Sequence, residues 1–428
     1  MTAPEVRRGP SIEAPAHLPL IASSAAPAAP GAAGTPFASR MAASGEQSSR
    51  VLRPRSKVLP EHARSHNRAL VLQTLYRTGL LSRADVARAT GLTRVTVSDL
   101  VAELIAEGIV VERGPSEDVR PGKPATMLDI DRTAFHIVGL DLSQHAEFWG
   151  AVLDLDGRII SRAQVPLASS TGEDAVAKVV ALVETLLGQT STPVLGIGVG
   201  SPGVVDLAGV VLSAPNLGWA GLELQALLHD RFRLPVIVGN DANAAVLAEH
   251  SFGDADSDLM LVKIGHGVGA GLLVSGTPLF GSRFAAGEIG HVVVGTDGGA
   301  ACVCGKSGCL ETWLSTPNLE SALAAAELAS TGAEDAGIRR DAVLREAGQR
   351  LGIALAPIVG ALNLSEIVLS GPVALLDGTL SESTIETLRR RTMAEFHGDL
   401  TLRMTSQGDD IVLRGAAVLV LSARLGVS

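Results

Sequence analysis

Hydrophobic positions between residues 65 and 114 repeat at intervals of three and four, and short turns interrupt them. The first series predicts a helix that ends at a glycine. The next two predict a short helix Arg83–Thr90 capped by Ser82, and a helix capped by Thr93 that runs to about Glu107. A short helix, a glycine turn and a capped helix in this order are typical of a helix-turn-helix.

Two short strand patterns, residues 109–113 and 125–129, follow the third helix and enclose a polar loop. With the helices they predict an α+β winged helix-turn-helix over residues 61–130. A three-helix protein-interaction or dimerisation domain is the alternative, because such helices also occur there. The winged helix would contact phosphates through Arg68, Arg94, Arg120 and Lys123, and base edges through Arg94, Thr96 and Ser98.

From residue 133 the pattern changes to strands that alternate with helices. Strands are predicted at residues 135–141, 148–155, 159–166, 195–200 and 236–240, and helices at 175–187 and 242–252. A strand at 259–264 begins a second series with hairpin turns of its own. Two such series predict a duplicated α/β unit over residues 133–428, with a cleft between its halves.

The first sixty residues differ from the rest, since they are rich in alanine and proline. They cannot bury a core, so residues 1–60 are predicted to be a disordered tail. A signal peptide is not expected, because Pro19 interrupts the short apolar stretch 18–22. The longest apolar stretch, residues 351–362, is too short to cross a bilayer, so no membrane partner is expected.

Charge divides the 428-residue chain, whose net charge is −10. Residues 50–125 carry 13 basic and 8 acidic side chains, a net of +5, whereas residues 126–428 carry 19 and 34, a net of −15. A basic module joined to an acidic one predicts that only the former meets a polyanion such as DNA.

All three cysteines form one motif, Cys302-x-Cys304-x4-Cys309, and His291 lies eleven positions upstream. Three thiolates and an imidazole are the four ligands of a closed, tetrahedral zinc site, which is structural because no position remains for water. The alternative is three unrelated buried thiols in a reduced protein. Clustered cysteines in a long chain favour a reducing compartment over disulfides, so a cytoplasmic location is expected.

Six short motifs give the chain a family resemblance. They are Gly200-Ser-Pro-Gly203, Ala214-Pro-Asn-Leu-Gly-Trp219, Asn240-Asp-Ala-Asn243, Gly265-His-Gly-Val-Gly-Ala-Gly271, Gly287-Glu-Ile-Gly-His291 and the cysteine motif continued to Glu311. From about residue 65 onward the chain resembles the ROK family of sugar kinases, sugar-responsive repressors and related open reading frames. The fused winged helix resembles the repressor branch. The resemblance implies an actin-like, two-lobed ATPase fold, a duplicated ribonuclease-H-like unit.

The resemblance also implies one cleft for the polar residues that a sugar's hydroxyl groups would need. The implied sugar-binding set is Asn216, Asn240, Asp241, Glu288, His291 and Glu311. His291 is implied to serve twice, with one ring nitrogen on zinc and the other facing the sugar. Glu288 and Glu311 have an alternative role, which is to orient the zinc loop, residues 291–311, as acceptors around the metal ligands.

Phosphate binding is where the chain departs from the family's kinases. Their first turn reads Asp-x-Gly-Gly-Thr-Lys, whereas this chain has Asp141-Leu-Ser-Gln-His145, without the glycines that let backbone amides approach a phosphate. The glycine repeat Gly265–Gly271 is intact, but it is equally a tight turn between strands. ATP binding is therefore expected to be weak or absent, and the chain is not expected to be an enzyme.

These patterns together predict a DNA-binding repressor of carbohydrate genes, controlled by a sugar or sugar phosphate. Because each winged helix reads one half-site, a homodimer or homotetramer is expected on the operator. An ATP-dependent kinase of a hexose or an N-acetyl amino sugar is the alternative, with Asp241 as general base. A regulator controlled by a protein partner is the third hypothesis. The residues do not identify the sugar, the operator or the sign of regulation.

Overall fold

Two of the three N-terminal helices begin at their predicted caps, whereas the first begins at Pro60, before the hydrophobic pattern that starts at residue 65. The computed structural model describes residues 60–115, 124–253, 255–295, 299–393 and 400–427. Its first helices are α1 (Pro60–Thr78), α2 (Arg83–Thr90) and α3 (Arg94–Ala106). Ser82 and Asp85 form a capping box at α2, and the Thr93 side chain accepts a hydrogen bond from the Thr96 amide at the start of α3.

A small antiparallel sheet accompanies these helices. It contains β1 (Leu81–Ser82), β2 (Val110–Pro115) and β3 (Thr126–Ile130), in the order β1-β3-β2. The two predicted strands are confirmed, whereas β1 has only two residues and carries no readable pattern. Two of the predicted DNA contacts, Arg120 and Lys123, lie outside the described residues, as does the predicted tail up to residue 59.

A five-stranded sheet with the order β10-β7-β4-β5-β6 forms the first half of the remaining chain. Its strands are β4 (His136–Asp141), β5 (Glu147–Leu153), β6 (Ile159–Pro166), β7 (Val194–Ser201) and β10 (Val236–Asn240). The other elements of this half are the small hairpin β8 (Val204–Val205) and β9 (Val211–Ser213), and the helices α4 (Gly172–Leu187), α5 (Leu224–Phe232) and α6 (Asp241–Phe252).

A second five-stranded sheet has the order β13-β12-β11-β14-β15. Its strands are β11 (Leu259–Ile264), β12 (Val268–Val274), β13 (Thr277–Pro278), β14 (Glu366–Ser370) and β15 (Thr401–Met404). Its helices are α7 (Glu311–Leu314), α8 (Thr316–Leu328), α9 (Ala333–Leu362), α10 (Val373–Leu376), α11 (Thr379–Arg391) and α12 (Ile411–Leu425).

The two sheets repeat one topology. Read from its other edge, the second sheet is β15-β14-β11-β12-β13, which matches β10-β7-β4-β5-β6 strand for strand. In each half the first strand pairs antiparallel with the second strand and parallel with the fourth. Helices α6 and α12 follow equivalent strands and pack against each other between the sheets. The predicted duplicated α/β unit is therefore confirmed.

Helix α12 also packs against the N-terminal helices. Side chains of α1, α12 and the first sheet share one hydrophobic core, with Leu72 and Leu421 fully buried in it. Gly426 lies so close to α1 that a Cβ atom there would stand 2.5 Å from the Cβ of Ala69. The Tyr76 hydroxyl donates a hydrogen bond of 2.5 Å to the Leu155 carbonyl. The N-terminal helices are thus joined to the duplicated unit by apolar packing and by a part-buried hydrogen bond.

None of the helices in the described ranges combines the length and the apolar character that a membrane-spanning segment requires.

Candidate functional site

The N-terminus of α6 presents two of the predicted site residues. Asn240 caps the helix, since its Oδ1 accepts a hydrogen bond of 2.9 Å from the Asn243 amide. Its Nδ2 group donates to the Gly203 carbonyl at 2.8 Å and to Asp241 Oδ1 at 3.0 Å. The Asp241 carboxylate is therefore held at a helix N-terminus, where partial positive charge favours an anion.

Three further predicted residues interact electrostatically beside Asp241. Burial raises the pKa of Glu288, as do the neighbouring carboxylates Asp241 and Glu311, whereas His291 lowers it. Glu311 Oε2 accepts a hydrogen bond of 3.1 Å from the Val268 amide, which anchors the carboxylate to the glycine-rich turn. We call Asp241, Glu288, His291 and Glu311 the acidic cluster; it offers several acceptors and one imidazole to a polyhydroxylated ligand.

Asn216 is not joined to this cluster by any hydrogen bond of the described residues. It lies exposed on the 3-10 helix Pro215–Leu217. That helix follows β9, and Gly203 packs against the Ser213 carbonyl at the end of β9, where a Cβ atom on the glycine would clash at 2.0 Å. Asn216 therefore lies on a loop that neighbours the Gly203 turn, to which Asn240 donates its hydrogen bond.

The turn after β4 contains polar side chains that bond to the Asp141 carboxylate. Asp141 is fully buried, and its Oδ1 accepts hydrogen bonds from the Ser143 amide at 2.9 Å and the Ser143 hydroxyl at 2.6 Å. Its Oδ2 accepts one from Gln144 Nε2 at 3.0 Å. Both carboxylate oxygens thus accept hydrogen bonds from residues of this turn.

Lys263 is a residue of this region that the sequence patterns did not single out. Its Nζ lies 3.1 Å from Asp241 Oδ2 and donates a hydrogen bond of 2.9 Å to Ser143 Oγ. Burial lowers the pKa of Lys263, but the Asp241 and Asp141 carboxylates outweigh burial, so the pKa lies above its usual value. A lysine inside the otherwise apolar strand Leu259–Ile264 was the available signal.

The predicted metal ligands converge. One donor atom from each of His291, Cys302, Cys304 and Cys309 lies within 4.8 Å of the others. Cys302 Sγ stands 3.6 Å from His291 Nδ1, and Cys304 Sγ stands 3.6 Å from Cys309 Sγ. A tetrahedral metal with Zn-like bonds of about 2.3 Å to sulfur and 2.0 Å to nitrogen separates S and S by about 3.8 Å, and S and N by about 3.5 Å. The four residues could therefore bind a metal ion.

Tight turns of the backbone bring the thiols together. Gly305 and Gly308 have φ angles of +86° and +75°, which residues with a Cβ rarely adopt. Burial raises the pKa of the Cys309 thiol to about 12, whereas a hydrogen bond from the Lys306 amide lowers that of Cys304. A bound cation would favour the thiolates, so metal binding would release protons.

The described DNA-contact candidates lie on α1 and α3. Arg94 and Ser98 are exposed, and Thr96 Oγ1 lies 2.9 Å from Thr93 Oγ1 at the helix start. Arg68 forms two hydrogen bonds to Glu107, at 2.9 and 2.6 Å, so a phosphate contact from Arg68 would have to replace that carboxylate. Val95, with 71% of its surface exposed, is a further side chain at this helix start that the helical pattern did not predict.

Comparison with known proteins assigns the family. A sequence profile described as the ROK family matches residues 137–423, which is most of the chain. The chain belongs to the ROK family. A solved ROK transcriptional regulator, a homologue of the E. coli MLC protein, superposes with a TM-score of 0.75 over 85% of this chain and 98% of its own, at 24% identity. The duplicated unit therefore has the ROK-type, actin-like ATPase fold.

The relatives of this ROK chain differ in how far they extend along it. The xylose repressor of Caldicellulosiruptor bescii is 29% identical over 393 residues, covering 84% of this chain and 96% of the repressor. A glucokinase of Halalkalibacterium halodurans is 31% identical over 298 residues, covering 63% of this chain and 90% of the kinase. The repressor therefore also matches a part of this chain that the kinase does not match.

Proposed function

We propose that this ROK protein is a DNA-binding transcriptional repressor of carbohydrate genes and that a sugar or sugar phosphate releases it from its operator. The observation that carries the proposal is the extent of the matches. The xylose repressor covers 84% of the chain, whereas the glucokinase covers 63%. Because the family profile begins only at residue 137, the additional matched chain includes the N-terminal helices.

The N-terminal module would bind the operator as a winged helix-turn-helix. Helices α2 and α3 with the strands β2 and β3 have the order that this motif requires. Arg94, Thr96 and Ser98 at the start of α3 would face base edges in the major groove. Phosphate contacts would come from Arg94, from Arg68 once it leaves Glu107, and from Arg120 and Lys123 between the two strands.

The effector would bind at the acidic cluster. Asn240 and Asp241 come from the first half of the ROK domain, whereas Glu288, His291 and Glu311 come from the second half. A sugar with several hydroxyl groups satisfies donors and acceptors from both halves at once, so it would stabilise one arrangement of the halves over another. Asn216 would join the site from its neighbouring loop.

A structural zinc ion would brace this site. Cys302, Cys304, Cys309 and Nδ1 of His291 would hold it, with no ligand position left for water. Zinc would fix the turns that carry the ligands and would set the ring of His291, whose Nε2 could then face the effector. Glu288 and Glu311 lie on either side of the zinc loop, so the metal would also keep these carboxylates in place.

The packing provides a route from the effector to the DNA-binding module. Helix α6 carries Asp241 at its N-terminus and packs on α12, and α12 shares a hydrophobic core with α1. Movement of one half relative to the other would therefore displace α1. In a homodimer or homotetramer this would change the spacing between two DNA-binding modules. The sugar must bind the two arrangements with different affinity, since equal binding shifts nothing.

We propose further that the protein has no sugar kinase activity. Ser143 and Gln144 occupy both oxygens of Asp141, where the family's kinases have small residues that let a phosphate approach. ATP with a panel of hexoses and N-acetyl amino sugars should give no phosphorylated product. Turnover that Asp241→Asn abolishes would contradict this proposal and favour the kinase alternative.

DNA binding is tested with the protein's own upstream region in a fluorescence anisotropy titration. Arg94→Ala should weaken binding by about 1–3 kcal/mol, or roughly five- to 150-fold, if Arg94 reads a base. Arg345→Ala, an exposed arginine of α9 in the ROK domain, is the matched control and should leave the affinity unchanged. Equal affinities of all three proteins would refute the role of Arg94, and no change of anisotropy with this DNA would refute the repressor proposal.

A further inference from the structure

A lysine bridge and a pair of stacked histidines both join the two halves of the ROK domain. One is the bridge of Lys263, which lies on β11 of the second sheet and bonds to Ser143 and Asp241 of the first half. The other is a parallel stack of His145 and His266, with ring centroids 3.9 Å apart and planes at 9°. These histidines lie on the turns that follow β4 and β11, the two equivalent first strands of the duplicated unit.

Lys263 occupies a position where the strand otherwise buries apolar side chains. Leu259 and Leu261, on the same face of β11, are fully buried against α6 and α12. Only 17% of the Lys263 side chain is exposed, so its charge has to be compensated within the protein. Asp241 compensates it directly at 3.1 Å, and Asp141 adds its charge through Ser143, which bonds to both Asp141 and Lys263.

The bridge leaves Asp241 able to bind a hydroxyl group. Oδ1 accepts from Asn240 and Oδ2 faces Lys263, so each oxygen keeps a lone pair for a further donor. A phosphoryl-transfer site needs a divalent cation that bridges phosphate oxygens, together with backbone amides open to those phosphates. Here Lys263 already supplies a positive charge to the carboxylates, and the two turns that would supply the amides carry the stacked imidazoles of His145 and His266.

We propose that Lys263 is a specificity-determining residue, the fixed cation of this site. It orients Asp241 toward the hydroxyl groups of a sugar and, together with the His145–His266 stack, takes the place of a divalent metal and a nucleoside triphosphate. Effector binding then requires neither of them. The part of this inference that concerns sugar binding rests on the proposed function. The part that concerns exclusion of a divalent metal by Lys263 does not depend on it.

The first test is a titration of the full-length chain with Mn2+, followed by electron paramagnetic resonance. Lys263→Met removes the charge and keeps the apolar stem, so two carboxylates lose their cation. Mn2+ should then bind at least about tenfold more tightly than to the wild type. Adding Asp241→Asn should abolish this gain, and Lys263→Arg should behave as the wild type. Arg345→Ala, which removes an exposed arginine of α9, should leave the wild-type affinity unchanged.

An unchanged Mn2+ affinity in Lys263→Met, or a gain that Asp241→Asn leaves intact, would overturn the inference. If Lys263→Met fails to fold, the inference is tested on the wild-type protein by the following measurement. The sugar concentration for half-release of the operator is measured with and without Mg2+ and the ATP analogue AMPPNP. No change supports the inference, and a shift beyond about threefold overturns it. Failure of any sugar to release DNA would instead refute the repressor proposal and leave the Mn2+ result standing.

Discussion

The hydrogen bond between Tyr76 and Leu155 joins the N-terminal helices to the first sheet, and its removal has a calculable cost. Tyr76→Phe keeps the ring, and with it the contact to the Arg132 guanidinium 5.1 Å from the ring centroid. It removes only the hydroxyl that donates to the Leu155 carbonyl at 2.5 Å. Leu155 is fully buried, so water cannot replace the lost donor. A buried acceptor left without a partner costs about 1–3 kcal/mol of stability.

The expected result is a loss of about 1–2 kcal/mol in the free energy of unfolding, measured by urea denaturation with far-UV circular dichroism. Burial, followed by the Asp156 charge, raises the pKa of Tyr76 above its usual range, although Arg132 lowers it. Because the folded-state pKa is raised, the contribution is fully present below the unfolded value of about 10 and is lost as the pH rises through the folded value. The difference between the proteins should therefore be constant from about pH 6 to 9.

Thr74→Val is the matched control for this measurement. Thr74 lies on the same helix, and its hydroxyl donates at 2.7 Å to the Leu70 carbonyl of that helix rather than to another element. Its removal should cost no more than about 0.5 kcal/mol. A loss below this level in Tyr76→Phe, or an equal loss in both variants, would refute the view that this bond secures the junction.

Three other predictions concern the metal site, the buried charges and pH. Cys304→Ser should lower the zinc content measured by elemental analysis and should weaken the release of operator DNA by sugar. The exposed neighbouring change Val303→Ser should do neither. Normal release of DNA by a zinc-free variant would contradict the proposal that zinc holds the sugar site in place. Glu249→Gln should cost about 1–3 kcal/mol in urea unfolding, because Arg403, whose side chain is one-third exposed, keeps only Glu366 as a charged partner. The surface change Glu386→Gln should cost almost nothing. Burial, and then the stacked imidazole, lowers the pKa of His266, so the unfolded chain takes up a proton that the folded chain resists. The melting temperature should therefore fall as the pH drops through about 6.5, and His266→Asn should make that fall smaller; an equal fall in both proteins would contradict the assignment.

Local signals predicted the secondary structure well. Ser82 and Thr93 cap helices where their hydroxyl groups precede an apolar repeat, and the structure confirms both caps. The strand at 236–240 agrees with β10 residue for residue, since a buried strand next to a capped helix gives a sharp boundary. The convergence of the four candidate metal ligands was also predictable, because their spacing is short and glycines set the turns.

Long-range partners were not predictable from one sequence. Ser143, which bonds to Lys263, lies 120 residues before it, and no local pattern links a strand lysine to a distant turn. The packing of Gly426 on Ala69 joins opposite ends of the described chain for the same reason. Asp241 was predicted as a site residue through its motif, but its ion pair depends on how the two halves of the fold come together.

The measurement that tests the central claim most directly is release of operator DNA by sugar. The full-length chain is bound to its own upstream DNA and titrated with xylose, glucose, N-acetylglucosamine and their phosphates, with fluorescence anisotropy as the readout. One sugar class should release the DNA without ATP, and Glu311→Gln, which alters the acidic cluster but not the DNA-binding module, should raise the concentration required. DNA binding that no sugar changes, or equal release in the wild type and Glu311→Gln, would contradict a repressor that senses sugar at this site.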